Sequence, residues 1–201
     1  MKTKFFLLSM LAIFLCSSNV TSQEKKQVDE NRNKGYFNIT KFGYKFVSRA
    51  SLETFNPISG NSKFDLPTNE ASVFSLQTIN GYFINSYVSL GVGFGLDGYH
   101  NPNANTIPLF ADIRLYAKDS KKSGYLFANA GTLVQIENGS RRGGMINIGL
   151  GYKYPINNKR FILITDLGFS YKNISLDDQP FRDSNDQLRI YGMMLSIGVL
   201  F

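Results

Sequence analysis

The sequence predicts an all-β fold: an eight-stranded antiparallel up-and-down transmembrane β-barrel behind a cleaved signal peptide. Three observations carry that reading. Apolar residues alternate with small or polar ones through eight segments of roughly ten to fifteen residues. Such segments exceed the five or six residues usual in soluble strands, and meet the about nine to eleven that a tilted strand needs to cross a bilayer. The connections between them alternate between long and short, as in a barrel with long loops at one end and short turns at the other.

The first 22 residues read as an export signal. Lys2 and Lys4 form a basic start, an apolar run follows from Phe5 to Cys16, and Val20 and Ser22 give a small-residue cleavage site before Gln23. The apolar run is too short for a stable membrane helix. A lipoprotein reading would instead acylate Cys16, but Ile13, Phe14 and Leu15 are poor neighbours for such a site. Residues 23–33 carry one apolar residue, Val28, and read as a solvated, flexible segment before a barrel over residues 34–201.

The barrel segments follow in order. The clearest runs from Tyr87 to Asp97, with Val88, Leu90, Val92, Phe94 and Leu96 on one face and Ser89, Gly91, Gly93, Gly95 and Asp97 on the other. From Thr106 to Ala117, Ile107, Leu109, Ala111, Ile113 and Leu115 oppose Asp112, Arg114 and Tyr116. From Met145 to Tyr154, Ile146, Ile148 and Leu150 oppose Asn147, Gly149, Gly151 and Lys153. The last, Arg189 to Phe201, sets Tyr191, Met193, Leu195, Ile197 and Val199 against Gly192, Ser196 and Gly198. Weaker patterns cover 35–47, 71–84, 125–137 and 161–174. The long stretch 48–70 has room for a hairpin, so ten strands are an alternative count. The second face is rich in Gly and Ser with isolated charges, which suits a narrow lumen better than a face turned to water. Tyr36, Tyr44, Tyr82, Tyr116, Tyr125, Tyr152, Tyr154, Tyr171 and Tyr191 fall mostly near segment ends, where aromatic girdles meet lipid headgroups.

Composition narrows the chemistry. The 201 residues hold 18 Gly, 17 Phe and 11 Tyr but one His and one Cys, at 43 % hydrophobic and 18 % charged. Few residues remain for a metal cluster or a Cys/His pair, and no cofactor or metal site is expected. The net charge is +7, and +5 once Lys2 and Lys4 leave with the signal. In an exported chain, lipid and lipopolysaccharide phosphates are more available partners for that charge than nucleic acid.

The signal peptide, the eight alternating segments and the terminal Phe201 together resemble the small bacterial outer-membrane β-barrel proteins. The stretch Ile107-Pro108-Leu109-Phe110-Ala111-Asp112-Ile113-Arg114 is similar to uncharacterised members of that class. The resemblance implies an integral outer-membrane location, monomeric assembly, and recognition of the last strand and Phe201 by the barrel-assembly machinery. It implies nothing specific about activity.

Alternation places Asp112, Arg114, Lys153 and Asp166 in the lumen, with Lys41 and Lys45 as further members. A Lys or Arg facing lipid at the midplane would cost about 2–4 kcal/mol. Inside eight strands there is just room for side chains, so these charges are expected to pair and plug the barrel. A gated pore or a carrier for small hydrophobic molecules is the alternative. The glycines Gly91, Gly93 and Gly95 lack the spacing of a phosphate loop and read as lumen-facing.

Outer-loop chemistry is sparse. His100, with Asp97 and a loop serine, Ser140 or Ser175, could be cast as a lipid A-modifying site, since such chemistry needs a base beside a nucleophile. No family motif supports it, and the expectation is a protein without catalysis. Asp177, Asp178, Asp183 and Asp186 make an acidic loop without EF-hand spacing. Arg141 and Arg142 are candidate contacts for lipopolysaccharide phosphates. The three Asn-x-Ser/Thr matches, at Asn38, Asn138 and Asn173, are chance sequons in a bacterial barrel.

Overall fold

In the computed structural model, residues 32–56, 60–100, 105–135, 142–156, 161–175 and 186–201 are described. The signal-peptide residues 1–22, Ser140, Arg141, Asp177, Asp178 and Asp183 lie outside them. Among the described residues nine strands form: β1 (Gly35–Asn56), β2 (Gly60–Leu66), β3 (Ser72–Asn85), β4 (Val88–His100), β5 (Thr106–Tyr116), β6 (Ser123–Gln135), β7 (Arg142–Ile156), β8 (Phe161–Ser175) and β9 (Gln187–Leu200). All pairings are antiparallel. From β3 to β9 each strand pairs with its chain neighbour, and β1 closes the ring on β9 from Ile39↔Leu200 to Glu53↔Gln187. Eight strands therefore enclose the lumen: β1 and β3 to β9.

The ninth strand belongs to the 48–70 stretch. Gly35–Phe46 of β1 pairs with β3, whereas Ala50–Asn56 continues upward and pairs with the short β2. The predicted first segment ended at Val47 because the alternation breaks there. The β1–β9 register shifts between Val47 and Arg49, which marks a bulge. One extra residue moves every later side chain to the opposite face. Below it, odd-numbered Phe37, Ile39, Lys41 and Lys45 are buried; above it, Ala50 is buried opposite Ile190, and Arg49 is exposed and pairs with Asp65 at 3.1 Å. The hidden hairpin is real, but it lengthens one strand instead of adding two to the barrel.

The alternation elsewhere maps directly onto the wall. Val92, Leu96, Leu109, Ile148, Leu167 and Leu195 are exposed on the outside, an apolar band that only lipid can cover. Tyr36, Tyr82, Tyr87, Tyr152 and Tyr154 ring the end at which β1 begins and β9 finishes, here the lower end; Phe46, Phe74 and Tyr191 ring the upper end. Tyr116 and Tyr125 are instead buried in the lumen, two residues along the strand from buried Arg114 and Phe127 and on the same inward faces. One irregularity marks the wall. The β4–β5 pairing runs from Val88↔Leu115 to Phe94↔Leu109, lapses at Gly95 and Leu96, and resumes at Asp97↔Thr106. Pro108 lies opposite that lapse and has no N–H to give a ladder.

Candidate functional site in the barrel lumen

Polar side chains inside the barrel gather in three layers. The central layer is built on Asp166 of β8. Its carboxylate accepts Lys41 Nζ from β1 at 2.8 Å, the Tyr125 hydroxyl from β6 at 2.5 Å and the Ser196 hydroxyl from β9 at 3.2 Å. Arg114 of β5 lies 3.7 Å from it. Arg114 also donates through Nε to Asp112 at 3.0 Å, and Asn129 donates to the same carboxylate at 2.5 Å. The guanidinium sits 5.0 Å from the Tyr125 ring and 5.9 Å from that of Phe127. All four charged side chains are 0 or 1 % exposed, and two carboxylates face two cations. In so dry a place each charge is tolerable only because its partners are fixed around it.

Small residues make that crowding possible. A Cβ on Gly151 would stand 2.3 Å from the Tyr125 ring, so only glycine lets the phenol lie flat against β7 and aim at Asp166.

The upper layer holds Asp97 of β4 with Lys45 of β1 and Lys172 of β8. Lys172 donates to Asp97 and, at 2.9 Å, to the Tyr99 hydroxyl; Lys45 Nζ lies 3.6 Å from Asp97. The lower layer is aromatic. Phe37, Phe83, Tyr116 and Tyr125 follow one another at ring separations of 4.9 to 5.4 Å. Lys153 lies 4.4 Å from the Tyr116 ring and donates to Asn33 Oδ1. Asn33 in turn donates from Nδ2 to the carbonyls of Ser86 (2.7 Å) and Lys118 (3.3 Å), and its backbone N–H donates to Asp119 (3.1 Å). The residue expected to end a solvated segment is instead buried, crossing beneath the lower mouth and tying two turns to β7.

Asp112, Arg114 and Asp166 thus stand together with Lys41, while Lys153 belongs to a separate layer below. The Asp97–Lys172 pair was missed as a lumen group, although both residues sat on the inward face of their segments. Asp97 was instead considered beside His100. Three positions along a strand put side chains on opposite faces: Asp97 is buried inside and His100 is exposed outside. The residue register sets beside His100 is Ser72, not Ser175, and among the described residues no side-chain hydrogen bond joins the His100 imidazole to a partner. Arg142 is the first residue of β7. Phe201 exchanges two backbone hydrogen bonds with Asn38, at 2.8 and 2.9 Å, which zips the last strand to the first.

The closed ring of eight antiparallel strands superposes on the solid-state NMR structure of outer membrane protein AlkL in DMPC bilayers, with a TM-score of 0.53, covering 90 % of this chain and 96 % of that one at 13 % identity. The fold is that of the small outer-membrane β-barrels. Further similar structures are OprG from Pseudomonas aeruginosa (12 % identity, TM-score 0.49, 86 % and 98 % covered) and the N-terminal β-barrel domain of Pseudomonas aeruginosa OprF (18 %, 0.46, 85 % and 99 %). No protein-family model and no curated protein sequence matches the chain.

Proposed function

We propose that the chain is an integral bacterial outer-membrane protein with a structural or interaction role. Its lumen is plugged by its own side chains, and its outer loops and periplasmic turns are offered to partners. The observation that carries the reading is Asp166, which draws side chains from β1, β5, β6 and β9 to one point in the lumen. A carboxylate held from four directions leaves no aqueous path beside it. Outer-membrane phospholipid and lipopolysaccharide are its surroundings, with Arg141 and Arg142 offered to the lipopolysaccharide phosphates. Phe201, paired to Asn38, is the strand end offered to the barrel-assembly machinery. The protein works as a monomer, without cofactor and without catalysis.

A liposome-swelling assay tests this. Vesicles containing the purified barrel are expected to exclude a pentose as well as protein-free vesicles do. Swelling at a rate proportional to protein content would mean an open pore.

A further inference from the structure

We propose that the upper layer of the lumen binds a small monovalent inorganic anion, held by Lys45 and Lys172 above Asp97. The inference rests on the inward register and on charge, and goes beyond the closed lumen. In the central layer two carboxylates balance Lys41 and Arg114. In the upper layer two ammonium groups share one carboxylate. Among the described residues, the other lumen acids, Asp112 and Asp166, are engaged by Arg114 and Lys41. One positive charge is therefore left over in a site shielded from water, where an uncompensated charge is expensive.

The hydrogen bonds show the same surplus. Lys172 spends its protons on Asp97 and Tyr99. Lys45 Nζ is buried and has no hydrogen-bond acceptor, only Asp97 at 3.6 Å. The hydroxyl of Thr106, directly across the ladder from Asp97, is fully buried and also has no partner. Tyr99 accepts from Lys172 and keeps its own proton to give. Asp97 Oδ1, the oxygen 3.6 Å from Lys45 Nζ, also lacks a hydrogen-bond partner, but the donors of Lys45, Thr106 and Tyr99 outnumber that one acceptor, which is the requirement of an anion site. A single surplus charge selects a monovalent ion. A lumen that eight strands leave just wide enough for side chains selects one of halide size.

Bromide is the probe. Crystals of the full chain soaked in sodium bromide are expected to show an anomalous peak within hydrogen-bonding distance of Lys45 Nζ, and crystals of Lys45→Met to lack it. In detergent, exchanging gluconate for chloride at constant ionic strength should raise the unfolding midpoint of the wild type and leave that of Lys45→Met unmoved. Should Lys45→Met fail to fold, Thr106→Val is expected to shrink the chloride-dependent rise. Bromide confined to the surface, an adventitious ion only, or a midpoint indifferent to the anion would overturn the proposal and assign Lys45 as a neutral amine. Neither result bears on pentose exclusion, so this site and the closed lumen fail separately.

Discussion

The Lys41 ammonium on β1 donates to Asp166 on β8 at 2.8 Å, spanning the position of β9 that lies between them in the wall. That bond crosses the curve of the lumen. The Tyr125 hydroxyl reaches the same carboxylate from β6. The centre of the barrel is therefore held by side chains as well as by its ladders.

Removing the acceptor should be severe. Asp166→Ala takes the acceptor from Lys41, Tyr125 and Ser196 and leaves Arg114 with Asp112 alone, and the expected loss is about 3–5 kcal/mol, the usual cost of orphaning a buried charge. Urea unfolding in lipid vesicles measures it. Asp166→Asn keeps acceptor atoms and should lose less.

Two glycines of the same wall should respond oppositely to one methyl group. A Cβ on Gly131 would fall 2.0 Å from the Leu109 carbonyl oxygen, a backbone atom that cannot swing away; Gly144 has nothing within 4 Å. Gly131→Ala should cost about 1–3 kcal/mol through overpacking, and so lower the temperature at which the folded band disappears from a gel. Gly144→Ala should leave that temperature unchanged.

Asn33 should act as a latch on the lower mouth. Asn33→Ala removes the bonds to Ser86, Lys118 and Lys153 at once. A cost of about 1–3 kcal/mol for the buried groups left unpaired is expected. Trypsin should then cut after Arg32 faster than in the wild type, with the barrel core still intact.

The lapse between β4 and β5 should be the least protected part of the wall. Hydrogen exchange at Gly95, Leu96 and Ile107 is expected to outpace that at Val92 and Ala111, which sit in the paired stretch. Pro108→Val restores a donor and should slow it.

The wall was the most legible part of this molecule, because a period of two and a lipid exterior leave few choices: Val92, Leu109 and Ile148 could face only outward. Lys41, Arg114 and Asp166 followed from the same alternation, since charge is costly in lipid. What alternation could not supply was height. Lys153 and Asp166 both point into the lumen, yet the β7–β8 register sets Lys153 beside Ile164 and Asp166 beside Gly151, in different layers. The bulge after Val47 was hidden because a one-residue slip has no composition of its own; it shows only as an alternation that stops. Asn33 sits in a polar run that reads as solvated, and its burial comes from the turns it meets, which lie far away in sequence.

Planar-bilayer recording tests the closed lumen most directly. The wild-type barrel should give no steady conductance steps in 1 M potassium chloride, and the Arg114→Ala, Asp166→Ala double variant should give small, uniform ones. Steady steps of the same size from both proteins would contradict the account, because the Asp166 centre would then not be what closes the barrel.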